Sequence, residues 1–234
     1  MIVKEQEKQI ASFTGRLLRD TFGKGPQASY SSVGKSYVVI FLRHFISPME
    51  RSLLQAEGEE AVHSLRESMM EEISPKVRDY IQTLTGETYN EFFFDWNLSN
   101  YSGILIGLKP DAFDNADQEK EPLQQEYQYK QEVEKKIAEL TREAERWPKK
   151  VTSVRVNKRT ILIVRDGILV DIEKKLIEMG HGIPLKTAKR SVEKDLFYRE
   201  DIFSQILGLN VKNIYVDWNF VLDKSTIVII TDPV

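Results

Sequence analysis

Cysteine is absent from this chain, which removes disulfide bonds, thiolate metal sites and cysteine nucleophiles from consideration together. Histidine is scarce: His44, His63 and His181 are the only three, and none has a second ligand at metal-binding spacing. Long apolar runs are missing as well. Stretches such as residues 38–42 and 161–164 fall far short of the ~20 residues that a membrane-spanning helix needs, and no secretory apolar segment follows Met1. We therefore expect a cytoplasmic protein. Nucleotide-loop chemistry is imitated by Gly34-Lys35-Ser36, but the motif needs a glycine where Ser29 stands, and it must open a helix rather than a β-branched strand. No nucleophile elbow supports Ser/His/Asp catalysis.

What the chain does have is a duplication. Phe92-Phe93-Phe94-Asp95-Trp96-Asn97 returns as Ile214-Tyr215-Val216-Asp217-Trp218-Asn219 at a shift of 122, and Gly86 meets Gly208 at the same shift. Lys35 to Phe41 matches Lys158 to Val164, and Glu50 matches Glu173, at a shift of 123. Two nearly equal shifts mean a repeated domain. We place the first repeat at residues 1–108, an acidic linker at 109–128 and the second repeat at 129–234. The formal net charge of −3 divides unevenly, with 13 Lys and Arg against 20 Asp and Glu in residues 1–129, and 20 against 16 in residues 130–234. Opposite signs favour association of the halves and make the second the better partner for an anionic surface.

Residues 5–22 place Ile10, Phe13, Leu17 and Leu18 at helical spacing, and Gly23-Lys24-Gly25-Pro26 ends the helix. The same loop is a candidate anion cradle, although a helix stop is the favoured explanation. A hairpin follows, Ala28 to Val33 and Ser36 to Phe45, turning at Gly34-Lys35. A helix is expected from Pro48 to Ile73, bent at Gly58, and a shorter one restarting at Ser74-Pro75 and ending at Gly86. The Asp-Trp-Asn strand and its partner complete the unit. The second copy departs from this plan at Trp147-Pro148-Lys149-Lys150, which replaces the glycine loop, and at residues 179–184, which interrupt the long helix. It reads as a degenerate copy.

The order αββααββ predicts an α+β fold of two repeated two-layer domains, each an antiparallel four-stranded sheet with helices packed on one face. Alternation puts Phe92, Phe94 and Trp96 on one face and Phe93, Asp95 and Asn97 on the other, with Ile214, Val216, Trp218 and Tyr215, Asp217, Asn219 repeating this. The face away from the helices is expected to hold Val39, Phe41, Phe93 and Leu105, or Leu162, Val164, Tyr215, Ile227 and Ile229. So apolar a face predicts a cover, from the sister repeat, the linker or a second subunit in a homodimer.

Chemistry is thinly supplied. Asp95 and Asp217 could act as an acid/base or cation-holding pair, but Asp and Asn at a strand end equally suit local backbone hydrogen bonds. Trp96 and Trp218 fit core anchors better than ligand stackers. Arg155, Lys158, Arg159 and Arg165 on one hairpin, with Lys186, Lys189, Arg190 and Lys194 on a helix, form a candidate basic patch for phospholipid or nucleic-acid phosphates. Solvated charge is the commoner explanation, so nucleic acid is kept as an alternative only.

A helix ending in Gly-Lys-Gly-Pro, a hairpin, a long acidic helix and a closing Asp-containing strand pair resemble the MpsC-type domain, here as a tandem pair. The likeness is strongest over residues 6–110, and Gly23-Lys24-Gly25-Pro26 is its sharpest signature. That family is named for a Na+-translocating, membrane-potential-generating system with integral membrane subunits associated with inorganic-carbon uptake. With chemistry so thin, the resemblance points to an interaction or regulatory protein, and the residues themselves lead us to expect no catalysis, no cofactor and no metal. Its partners would be proteins, integral membrane transport subunits among them, at the inner membrane face. Two alternatives stand beside it: an anionic-surface binding module, and a small-molecule or anion sensor using the Gly23 to Pro26 loop.

Overall fold

The apolar stripe near the N-terminus forms α1 (Ile2–Phe22), which buries Ile10, Thr14 and Leu18 one turn apart along a single face. In the computed structural model, which describes residues 2–110, 113 and 127–233, the chain divides into two units, residues 1–114 and 115–234. The first continues through β1 (Ala28–Val33), β2 (Tyr37–Arg43), α2 (Pro48–Glu57), α3 (Glu59–Thr85), β3 (Glu91–Asn97) and β4 (Ser102–Leu108). Its strands are antiparallel in the order β1-β2-β4-β3, so the closing hairpin returns to set β4 beside β2. The second unit repeats this with α4 (Lys130–Ala144), β5 (Lys150–Asn157), β6 (Thr160–Asp166), α5 (Asp171–Glu178), α6 (Gly182–Tyr198), α7 (Ile202–Leu207), β7 (Val211–Asn219) and β8 (Lys224–Thr231). Its order is β5-β6-β8-β7. The fold is α+β, two similar halves each built on a four-stranded antiparallel sheet.

The turns repeat as faithfully as the strands. His44 and Gly167 are both left-handed (φ 50° and 68°), as are Tyr101 and Asp223 (57° and 48°) and Gly86 and Gly208 (74° and 62°). Gly58 and Gly180 also match (86° and 84°). That last pair corrects two expectations. The chain does not restart a helix at Ser74-Pro75, because α3 runs through Pro75 and the break falls at Gly58, whose backbone is open to glycine alone. A proline inside a helix costs about 3 kcal/mol. Ile73, Val77 and Ile81, each buried on one face of α3, hold the helix against the core on both sides of it. The interruption at residues 179–184 is likewise no departure, since Gly180 breaks the second copy where Gly58 breaks the first. The copies differ further along, where Glu200 and Asp201 take positive φ and separate α6 from α7.

Each core lies between helices and sheet. Val38, Ile40, Leu42, Trp96 and Leu105 meet Leu18, Val62, Ile73 and Val77 in the first unit, and Ile161, Ile163, Ile214, Trp218 and Ile229 meet Val133, Ile137 and Phe197 in the second. Phe92, Phe94 and Trp96 face the helices as alternation predicted. The fourth strand was read out of phase. Phe93 pairs with Ile106 and Phe94 with Leu105, which turns Leu105 toward the helices, and Ile227 and Ile229 likewise sit in the helix-facing core. A one-residue slip exchanges the faces of a strand, and the turn length that fixes register is not visible in the apolar pattern. The opposite face, with Val39, Phe93, Ile104 and Ile106 or Leu162, Val164, Tyr215 and Val228, is buried. Nearly all of the acidic linker, residues 111–112 and 114–126, lies outside the described residues, and with it the expectation that the linker covers this face.

Candidate functional site

The tryptophan of each repeat sits beneath a buried cation, and the helix start after β2 or β6 explains why. Ser47 caps α2: its Oγ accepts from Glu50 N at 3.3 Å, and Glu50 Oε2 accepts from Ser47 N at 2.7 Å. The other Glu50 oxygen accepts from Arg66 Nε at 2.6 Å, and Arg66 Nη2 donates to the Phe45 carbonyl at 2.9 Å. The guanidinium lies 4.4 Å from the Trp96 ring centre and 4.8 Å from that of Phe45. In the second repeat Glu173 Oε2 accepts from Val170 N at 3.0 Å, while its Oε1 accepts from Lys189 Nζ at 2.7 Å. Lys189 Nζ is 5.7 Å from the Trp218 ring centre. Arg66 and Lys189 stand at the same shift of 123 as Glu50 and Glu173. Trp96 and Trp218 thus stand at equivalent positions, each beside a glutamate–cation pair.

Around this shared pair the two cores part company. Leu18, Phe22, Leu42, Met70 and Gly103 of the first repeat become Thr141, Glu145, Arg165, Glu193 and Ser225 in the second. Arg165, fully buried, donates to Ser225 Oγ and Thr141 Oγ1 at 2.8 Å each and to Glu193 Oε2 at 2.6 Å. Glu193 Oε1 accepts from Trp218 Nε1 at 3.2 Å. Lys189 Nζ also lies 2.5 Å from Glu145 Oε1. Two cations, Arg165 and Lys189, therefore face three carboxylates: Glu145, Glu173 and Glu193. Burial first, then hydrogen bonding to Glu193 and its charge, push the Glu145 carboxyl up to about 8, against the pull of Lys189 and Arg165. With side chains 3 % and 1 % exposed, Glu145 and Glu193 are closed to any substrate. This cluster can hold a proton and fix the packing of Trp218.

The surface feature lies in the first repeat. Gly23 ends α1, and Gly25 passes so near α1 that a Cβ there would meet the Gly15 carbonyl oxygen at 2.9 Å. The helix-stop reading of the loop is correct, and close packing explains its second glycine. Held this way, Lys24 and Gly25 border an open cavity of about 530 Å³ with Gln27, His44, Arg51 and Tyr101, floored by Ile46. The Arg51 guanidinium stacks 5.7 Å from the Tyr101 ring centre. A non-glycine residue with left-handed backbone costs about 1 kcal/mol, and both His44 and Tyr101 carry that strain at this rim.

A family profile described as the Na+-translocating membrane potential-generating system (MpsC) matches residues 3–108 and 125–233. The chain belongs to the MpsC family. Neither curated proteins nor solved structures give a match.

In both MpsC repeats the asparagine of the Asp-Trp-Asn strand makes local hydrogen bonds to backbone. Asn97 Oδ1 accepts from Ser99 N at 3.0 Å, and Asn219 Oδ1 accepts from Val221 N and Leu222 N at 3.1 and 3.2 Å, which closes the hairpin ends. Asp95 is fully buried, and Asp217 pairs with Lys186 at 2.8 Å. That pairing also breaks up the expected basic patch. Lys189 and Arg190 are buried, Lys186 is occupied by Asp217, and Arg165 is internal. On the hairpin, Lys158 and Arg159 are exposed at the turn, while Arg155 lies over the Tyr127 ring at 5.4 Å. Charges at helical spacing read as a solvated face, and here several line the core. Sequence reasoning missed the cluster of Glu145, Arg165 and Glu193. Its signal was Arg165 directly after the apolar run of residues 161–164, and Lys189 and Glu193 one turn apart on the stripe that also carries Phe197.

Proposed function

We propose that this MpsC protein is a non-catalytic regulatory component of a Na+-translocating, membrane-potential-generating system, working at the cytoplasmic face of the membrane through contacts with integral membrane subunits. The observation that carries this reading is the family match, which spans both repeats. The site geometry supports it: the buried carboxylates Glu50, Glu173 and Glu193 are committed to ion pairs beside the tryptophans, a structural use of groups an enzyme would aim at a substrate. No helix among the described residues is long and apolar enough to cross a membrane. The test is a deletion strain assayed for Na+-dependent membrane potential, paired with crosslinking to the membrane subunits in intact cells. Loss of the potential, restored by the full chain, together with a crosslink to a membrane subunit, supports the role. An unchanged potential with no such crosslink defeats it.

A further inference from the structure

The first repeat holds an open cavity at a place where the second repeat carries different residues. Lys24 and Arg51 bring two permanent positive charges to its rim, the His44 imidazole and the Tyr101 hydroxyl add hydrogen-bonding groups, and none of the lining residues is acidic. Neither the Lys24 nor the His44 side chain has a hydrogen-bond or ion-pair partner among the described residues. At the corresponding positions of the second repeat stand Trp147, Gly167 and Asp223 in place of Lys24, His44 and Tyr101. There the Lys149 side chain occupies the space a Cβ on Gly167 would need, at 2.4 Å, and Asp223 Oδ1 is consumed by the amides of Ile168 and Leu169 at 2.9 and 2.8 Å. One repeat thus meets the left-handed turn with a glycine, against which the Lys149 side chain packs. The other holds an imidazole there against backbone strain and leaves the space empty of protein.

The geometry points to a binding site in the first repeat for a small molecule bearing a doubly charged oxyanion, a phosphomonoester being the simplest case. Lysine and arginine are the side chains that hold phosphate oxygens, the guanidinium through paired hydrogen bonds. The cavity of about 530 Å³ exceeds a bare ion and falls within the roughly 300–1,000 Å³ common for small-molecule sites. This site does not depend on the transport role and would stand if that role fell.

The test uses the full chain with inorganic phosphate, adenosine monophosphate and acetate at matched ionic strength, read by calorimetry and thermal unfolding. Saturable binding of the two phosphate probes is expected, at least about tenfold tighter than acetate, with a rise in melting temperature. Lys24→Ala and His44→Gly should each weaken it by about tenfold or more. His44→Gly relieves the positive-φ strain, so it should melt no lower than the unaltered protein, and loss of ligand is then separable from loss of fold. Absence of saturable phosphate binding, affinity equal to that for acetate, or binding unchanged in both variants overturns the proposal. Binding to phosphatidylglycerol vesicles with no response to the soluble probes overturns it too.

Discussion

Glu145→Gln isolates the proton held in the second core. The carboxyl is raised from 4.5 to about 8 in the folded chain, so between those values the native state holds a proton that the unfolded chain has released. Stability from this group is therefore complete below pH 4.5 and is lost as pH rises through about 8. Each pH unit in that window is worth about 1.4 kcal/mol, so raising pH from 6 to 9 should remove roughly 3 kcal/mol from the second repeat. Amide hydrogen exchange in β6 and β8 reads that repeat alone, and protection factors there should fall by about two orders of magnitude over the interval. Glutamine keeps the shape and cannot titrate, so the fall should flatten in Glu145→Gln while the first repeat is unchanged in both proteins. Equal slopes in the two proteins, or protection that rises with pH, would refute the shared-proton account.

Three further outcomes follow from the cores. Arg66→Met strands Glu50 in the apolar core and should cost about 3–5 kcal/mol by denaturant titration, whereas Arg66→Lys, the residue type of the sister position, should cost clearly less. Arg165→Leu should cost a similar amount, about 3–5 kcal/mol, and the pair Arg165→Leu with Glu193→Met, which copies Leu42 and Met70, should recover most of it. Gly103→Ala puts a Cβ 2.3 Å from the Trp96 ring and should lower stability by about 1–3 kcal/mol, with a blue- or red-shifted Trp96 emission reporting the displaced indole.

The duplication, the hairpins and the helix-facing set of Phe92, Phe94 and Trp96 were legible because strand alternation and turn residues are local signals. Helix breaks were less so. Pro75 advertises a break and Gly58 only a bend, yet burial of Ile73 and Val77 overrides the proline while nothing overrides the backbone of Gly58. The phase of β4 depends on how many residues the turn at 98–101 consumes, a long-range fact written in no single strand. At the candidate sites, the Gly23 to Pro26 loop was visible, but its cavity partners His44, Arg51 and Tyr101 come from three separate segments that only the fold assembles. The buried network was hidden for the opposite reason: its residues are of the types that composition assigns to water.

Tandem repeats of similar shape risk exchanging parts while they fold, since the closing hairpin of one can seek the vacant place beside the other's second strand. The unlike chemistry flanking the tryptophans discourages that error. Were β3–β4 to settle beside β6, Gly103 would offer the Arg165 guanidinium no hydroxyl; were β7–β8 to settle beside β2, Ser225 would present an unmatched hydroxyl to Leu42. Divergence between the halves thereby acts as an address, directing each C-terminal hairpin to the half that encoded it.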